Sequence, residues 1–105
     1  MEISFNPIPN RIKSARVKKS ISQKELGIRI GLDENSASSR MNHYEKGRHT
    51  PDVLTLKRIA DELGVPLAYF FCESDLSAEL NCLINEMSEE EKTKLLTQLQ
   101  NKNET

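Results

Sequence analysis

Two short segments decide the fold of this chain: SQKEL at residues 22–26 and YEKG at residues 44–47, with Gly31 between them. Ser22, followed three residues later by Glu25, has the pattern of a capping box, in which each side chain satisfies a free backbone N–H of the other residue. Gly31 and the glycine of YEKG are suited to the left-handed conformation that ends many helices. The pattern predicts two short helices in succession, the second of which carries small polar and basic side chains outward.

Helices account for nearly all of the remaining sequence, since no segment has the alternating pattern of a strand. Apolar positions repeat with helical spacing, and Gly and Pro occur singly, where caps and turns are expected. The first five helices are expected over about residues 10–19, 22–31, 33–46, 50–64 and 67–71. Asp33 or Asn35 is suited to cap the third of these helices, and Thr50 followed by Pro51 is suited to open the fourth.

Beyond about residue 73 the sequence becomes acidic and amphipathic. Apolar residues recur at positions i, i+4, i+7, i+8 and i+11 of one helix. This C-terminal stripe consists of Leu76, Leu80, Leu83, Ile84 and Met87. Ser88 and Glu91 form a second capping box, which is expected to open a last helix whose leucines face inward. We therefore expect a domain over residues 1–72 and an acidic helical extension over residues 73–105, with a frayed tail from residue 100.

The charge of the chain is divided between its two parts. The 105 residues carry a formal net charge of −1. Residues 1–60 hold 12 Lys and Arg against 6 Asp and Glu, a balance of +6, whereas residues 61–105 hold 3 against 10, a balance of −7. This division indicates a basic face suited to phosphates and an acidic part with another role.

Composition and motifs exclude several classes of protein. With 36% hydrophobic and 30% charged residues, the chain fits a folded domain with a short appendage. No apolar run has the length of a membrane span and no signal-peptide core is present, so we expect no membrane partner and a cytoplasmic location. Cys72 and Cys82 lack neighbours at metal-ligand spacing, so reduced core thiols are expected rather than a zinc site, with a redox-sensing pair the less favoured alternative. Neither a catalytic constellation nor a cofactor motif occurs, and we expect no enzyme activity.

Residues 22–71, taken in order, resemble the lambda-repressor-like, or Cro-type, helix-turn-helix family, also called the xenobiotic-response-element family. The matching residues are the two segments quoted above, Thr50 and Pro51, four apolar positions of the fourth helix, and LGVPL at residues 63–67 with Phe70. With the first helix, the resemblance covers about residues 8–72. It implies an all-α fold, with a five-helix DNA-binding domain whose second and third helices form the motif.

The resemblance also implies roles for individual residues. Gln23, the second residue of SQKEL, takes the place of a glutamine that often hydrogen-bonds a DNA phosphate at the start of the second helix. Arg16 and Glu45 take the places of a structural ion pair that holds the first helix against the motif.

One departure from the family concerns the segment before the third helix. From Gly31 to Glu45 this chain is about four residues longer than is usual in the family, close to one helical turn of about 3.6 residues. The surplus either lengthens the third helix or enlarges the turn before it, and the sequence leaves both open. Counting back from the tyrosine of YEKG, Met41 and Ala37 are expected to face inward.

The outward side chains of the third helix have the chemistry that reads base edges in the major groove. Arg40 can donate two hydrogen bonds to guanine, and small serines let a helix approach the groove closely. Base contacts are expected from Ser38, Ser39, Arg40 and His43. Contacts to the DNA backbone are expected from Gln23, Ser36, Asn42, Lys46, Arg48 and His49. Such backbone contacts make affinity fall as the salt concentration rises.

The expected function is sequence-specific binding of double-stranded DNA by a transcriptional regulator, a repressor or controller of bacterial or phage type. Proteins of this kind bind two-fold operators as homodimers, and the C-terminal stripe is the candidate dimerisation surface. The alternative is an antitoxin-type interaction protein, whose acidic C-terminal helices bind another protein while the motif autoregulates its operon. RNA binding is disfavoured because no aromatic stacking platform is evident.

Overall fold

The computed structural model describes residues 5–103, and within this range the chain forms six α-helices and one short 3-10 helix. The elements are α1 (Ile8–Lys18), α2 (Gln23–Arg29), α3 (Ala37–Glu45), α4 (Val53–Leu63), the 3-10 helix (Leu67–Phe71), α5 (Asp75–Asn85) and α6 (Glu89–Asn103). No strand occurs within residues 5–103, and the predicted all-α fold with a C-terminal helical extension is confirmed.

One core is shared by α1 to α4 and the 3-10 helix, which together form the head (residues 8–72). Its largest fully buried side chains are Phe70, Ile12, Leu26, Met41, Leu56, Ile59 and Leu63. Each helical element of the head contributes at least one of them, so the detachment of any element from the core would expose apolar surface. Full burial of one such side chain stabilises the fold by about 1.5–3 kcal/mol.

The start of α2 uses half of the predicted capping box. Ser22 is the N-cap, and its Oγ accepts the backbone N–H of Glu25 at 3.0 Å. The Glu25 carboxylate does not return the bond. It accepts from Arg29 Nε at 2.9 Å, one helical turn along the exposed surface. The second box is complete, because Ser88 Oγ accepts from the Glu91 N–H at 3.1 Å and Glu91 Oε1 accepts from the Ser88 N–H at 2.9 Å.

The start of α4 differs from the prediction by two residues. Asp52, rather than Thr50, is the N-cap, and its Oδ1 accepts the N–H of Thr55 at 2.8 Å. Asp52 has extended backbone angles, so its carboxylate reaches the third residue of the helix, and Pro51 precedes the cap. Gly64 ends α4 in the left-handed conformation, with φ at +70°, as the sequence predicts.

The four surplus residues enlarge the turn between α2 and α3 and do not lengthen α3. Gly31, with φ at +95°, stops α2, and the N–H of Leu32 returns to the Gly27 carbonyl at 2.9 Å. Asp33 then accepts the N–H of Asn35 at 2.8 Å and forms an Asx turn instead of capping a helix. α3 therefore begins only at Ala37 and has nine residues.

The first helix of the extension, α5, has two different faces. Ala78 is buried and Cys82 is half-buried against the core of the head. Asn81 also points to the head, where its Nδ2 donates to Cys72 Sγ at 3.3 Å. The C-terminal stripe lies on the outward side as far as Ile84, with exposures of 70% at Leu76 and 38% at Ile84. Met87, which was expected on the same helix, follows the end of α5 at Asn85 and is half-buried. The stripe therefore does not fold back onto the core.

The last helix, α6, buries no residue. The expectation that its leucines face inward is wrong for the single chain, because Leu96 and Leu99 are exposed and Leu95 is half-buried. The helix also continues through residue 103, where a frayed tail was expected, and residues 104–105 lie outside the described part of the chain. Capping and charge pairs such as Lys94–Glu90 at 3.4 Å support the helix locally. An isolated helix of this length is nevertheless marginal in water.

Candidate nucleic-acid interface

The position of α3 depends on a close approach to α2 at Gly27. A Cβ at this position would lie 2.8 Å from the Ala37 Cβ and 2.9 Å from the Ala37 carbonyl oxygen. Both distances are too short for ordinary contact, so only glycine allows the two helices to cross here. The crossing carries the first residue of α3 and thereby fixes where the exposed face of that helix points.

The two faces of α3 follow directly from its helical period. Ala37, Met41 and Tyr44 are buried and attach the helix to the head. Ser38, Ser39 and Arg40, three of the four residues expected to contact bases, are exposed, and the fourth, His43, is half-buried. The small serines leave the backbone of the helix open to a close approach, and Arg40 supplies a long donor beside them.

A buried charge pair joins α1 to the end of α3. Arg16 Nε lies 2.5 Å from Glu45 Oε2, and Arg16 Nη2 donates to Glu45 Oε1 at 3.0 Å. Arg16 also donates to the Ile21 carbonyl at 2.9 Å, so it ties the end of α1 to the same place. The Glu45 side chain is only 2% exposed. Its hydrogen bond raises the pKa of the Arg16 guanidinium above the ordinary value.

Two residues expected to contact the DNA backbone, Gln23 and Asn42, lie together beside this pair. Gln23 Nε2 donates to Glu45 Oε1 at 3.1 Å and to Asn42 Oδ1 at 3.3 Å. A cleft of about 490 Å³ lies next to them between α1 and α3, and the basic residues Lys13 and Lys46 line it together with Arg16. Since Glu45 is the one acid in its lining, the cleft has an excess of positive charge.

A second cleft, of about 470 Å³, lies between α3 and the start of α4. It is lined by Arg40, His43, Tyr44, His49, Thr50, Pro51, Asp52 and Thr55. The rings of His43 and His49 are 5.2 Å apart, and Arg40 Nη2 lies 3.4 Å from the Tyr44 hydroxyl. The Thr55 N–H lowers the pKa of the Asp52 carboxyl below its ordinary value. The cleft thus groups polar donors and acceptors along the outer edge of α3.

The chain is similar in sequence and in structure to proteins of known class. Residues 10–73 match the family described as a helix-turn-helix domain. The chain belongs to this helix-turn-helix family. The crystal structure of the transcriptional regulator BswR is similar with a TM-score of 0.82 and 40% sequence identity, over 90% of this chain and 93% of that one. This coverage exceeds what residues 1–72 alone could supply, so the likeness includes part of the extension.

A second relative is the cryptic phage CTXphi transcriptional repressor RstR of Vibrio cholerae, which is 29% identical over 70 residues. The match covers 67% of this chain, and the chain spans about 60% of the length of that relative. The predicted identity as a Cro- or lambda-repressor-like helix-turn-helix regulator is confirmed. The matched proteins are transcriptional regulators, which is not an enzymatic class.

The remaining predicted residues of the helix-turn-helix site flank α3. Ser36 is half-buried in the turn before the helix, where its hydroxyl lies 3.5 Å from the Asp33 carbonyl oxygen. Lys46, Arg48 and His49 are exposed in the segment after the helix. Gly27 and the carboxylate of Asp52 are not among the residues predicted from the sequence. A glycine inside a predicted helix was the available signal for the first of these.

Neither a metal site nor a membrane-spanning helix is found among the described residues of the chain. No cluster of three or more His, Cys, Asp or Glu residues suited to a metal occurs within residues 5–103. Cys72 and Cys82 are free thiols, and burial raises the pKa of the Cys82 thiol above its ordinary value. No helix in this range is long and apolar enough to cross a membrane.

Proposed function

We propose that this helix-turn-helix regulator represses transcription by binding a two-fold symmetric operator as a homodimer. The observation that carries the proposal is the two-sided character of α3, whose inward residues lock it to the head while Ser38, Ser39 and Arg40 stay exposed. The similarity to a phage repressor favours repression over activation. An operator-bound protein acts where the genome is, so we assign it to the cytoplasm of a bacterial cell.

Direct readout is assigned to the exposed face of α3. A helix of nine residues is about 13.5 Å long, which suits insertion into the major groove. In this arrangement Arg40 donates to guanine O6 and N7, and Ser38, Ser39 and His43 contact neighbouring base edges. The hydroxyl of Tyr44, one helical turn along, lies within reach of the Arg40 guanidinium and can help to position it.

Contacts to the DNA backbone are assigned to both flanks of α3. Gln23 and Asn42 face the basic cleft beside α1, and Lys46 lies in its lining. Ser36 is at the other end of the helix, and Arg48 and His49 follow it. Each phosphate neutralised by a basic side chain releases counterions, so the affinity falls steeply as salt is added.

Homodimerisation is assigned to the extension. Four residues of the C-terminal stripe on α5 and the exposed Leu96 and Leu99 on α6 are large apolar side chains that the single chain leaves uncovered. Pairing with a second copy covers these side chains and supplies a second recognition helix, as two half-sites separated by about 34 Å require. The acidic character of the extension keeps it away from the phosphates.

The test combines solution mass with selection of binding sites from random duplex DNA. A dimer in sedimentation and an enriched site with two-fold symmetry are expected. A monomer that captures a different protein from its native host would support the antitoxin-type alternative. The absence of any preference among duplexes at moderate salt would contradict DNA recognition altogether.

Replacement of Arg40 tests the readout itself. Arg40→Ala is expected to weaken operator binding by about 1–3 kcal/mol and to relax selectivity at one base position in each half-site. Arg58→Ala, which removes an exposed arginine of α4, is the matched control and should leave the selected sequence unchanged. If the Arg40→Ala protein selects the same bases with the same stringency, the assignment of Arg40 is wrong.

A further inference from the structure

One arginine of the head is buried without belonging to the recognition surface. Arg11, on α1, is 7% exposed. Its Nε donates to the Cys72 carbonyl oxygen at 2.9 Å, and its Nη1 donates to Asp75 Oδ1 at 2.8 Å. The guanidinium carbon lies 5.8 Å from the centre of the Tyr69 ring. A single planar group therefore joins α1, the 3-10 helix and the first residue of α5.

This group bridges the connection between the head and the extension. The 3-10 helix ends at Phe71 and α5 begins at Asp75, so only residues 72–74 link them. Arg11 holds the chain on both sides of this link, by its backbone at Cys72 and by a side chain at Asp75. The rigid fork of an arginine fixes the angle between two acceptors more closely than the single ammonium of a lysine can.

The other contacts of α5 with the head are apolar or uncharged. Ala78 and Cys82 pack against the core, and Asn81 donates to the Cys72 sulfur. These residues fill space along one side of α5 but supply no other charged anchor at its first turn. Arg11 is therefore the charged contact that holds the first turn of α5, and the packing of Ala78 and Cys82 holds the turns that follow.

We propose that Arg11 and Asp75 form a spacing clamp, which fixes the angle between head and extension and so sets the half-site separation that the homodimer accepts. The proposal rests on the homodimer of the proposed function. A rotation of about 10° at the clamp moves a point about 20 Å away by about 3.5 Å, close to the rise of one base pair of about 3.4 Å. Each added base pair also rotates the half-site by about 34–36° about the DNA axis, so a loose clamp would let the two α3 helices follow part of the change in operator length.

The effect of the clamp on the orientation of the head can be measured separately from its effect on stability. The Asp75 side chain is 99% exposed, and exposed partners of ion pairs contribute little to the free energy of unfolding. Removal of this carboxylate leaves Arg11 bonded to the Cys72 carbonyl and leaves the core unchanged. Asp75→Ala should therefore fold and dimerise as the wild type does, while its head is less firmly oriented.

The experiment measures the affinity of full-length proteins for the operator and for versions whose central spacer is one or two base pairs longer or shorter. The variants are Asp75→Ala and Arg11→Lys, with Asp61→Ala as the control. Asp61 forms an exposed pair with Lys57 at 2.6 Å on α4, away from the extension. The wild type and the control are expected to lose at least tenfold in affinity per base pair of altered spacing. The two clamp variants are expected to lose about threefold less affinity per base pair than the wild type does.

Sedimentation of the same samples separates the two levels of failure. A monomeric wild type overturns the homodimer and the clamp with it, whereas a dimeric wild type that ignores the spacer overturns the clamp alone. A dimeric wild type with sharp spacing preference, shared by both clamp variants, overturns the clamp alone and leaves the proposed function standing.

Discussion

At the scale of single residues, Glu45 is the side chain on which the geometry of the interface most depends. It is an acid at the end of the recognition helix, nearly without solvent, and it accepts hydrogen bonds from Arg16 and Gln23. A buried charge of this kind is tolerated only while its partners stay in place. We therefore expect Arg16 to support DNA binding through Glu45 and Gln23 rather than by a contact of its own.

Replacement of Arg16 is expected to be costly for this reason. Arg16→Ala leaves the Glu45 carboxylate buried without its cation and should lower the free energy of unfolding by about 3–5 kcal/mol. Chemical denaturation of both proteins measures the difference. Arg29→Ala is the control, because the Arg29–Glu25 pair is largely exposed and is worth less than about 1 kcal/mol. Equal losses of the free energy of unfolding in the two variants would show that the burial of Glu45 does not increase the cost of removing its cation.

Residue-scale features differ in how far the sequence can predict them. The left-handed conformation of Gly31 and Gly64 can be predicted from the sequence, since glycine adopts it easily whatever the rest of the fold. The contacts of Arg11 cannot be predicted in this way, because its partners lie 61 and 64 positions away and only the folded chain brings them together. The roles of Ser38, Ser39 and the other assigned DNA contacts stay predictions.

At the scale of helices, the crossing of α2 and α3 decides where the recognition face points. Periodicity predicts that both helices exist, and it predicts the buried side of α3. It does not predict the turn between them, because a four-residue surplus satisfies the helical period equally well as an added turn of helix. The Asx turn at Asp33 and the end of α2 before Gly31 show that the surplus residues enlarge the connection and do not lengthen α3.

The same crossing yields a prediction for Gly27. Gly27→Ala places a Cβ against both the side chain and the carbonyl of Ala37, so the helix backbones must separate. Overpacking of this kind costs about 1–3 kcal/mol, partly offset by the roughly 1 kcal/mol by which alanine favours a helix. The variant should melt at a lower temperature than the wild type and bind its operator more weakly.

Ile28→Ala provides a control for that substitution, because Ile28 is the next residue of α2 and is exposed. It should change the melting temperature and the operator affinity little. A Gly27→Ala protein as stable and as tightly bound as this control would mean that α2 and α3 do not approach as closely as described.

At the scale of the whole molecule, the chain is a compact head with a projecting extension, and its extents are 56 × 40 × 22 Å. The basic surface lies on the head and the acidic residues dominate the extension. The sequence predicts this division from charge alone, and it predicts the apolar stripe. It cannot show that α6 buries nothing in the single chain, because an inward and an outward leucine look alike in a periodic pattern.

Removal of the extension tests the division. Truncation after Cys72 should leave a folded, monomeric head, since its seven largest fully buried side chains all precede residue 73. The loss of simultaneous binding to two half-sites is expected to weaken operator affinity about 10²-fold. Sedimentation and operator titration of the head against the full chain provide the measurement. A truncated head that remains a tight dimer would place the homodimer surface elsewhere.

The enlarged turn before α3 has an evolutionary consequence. Asp33, Glu34 and Asn35 project into solvent, between a helix that has already stopped and one that has yet to begin. Insertions and deletions there do not change which side chains of α3 face outward. We therefore expect the length of this turn to tolerate change without altering the residues assigned to base contacts.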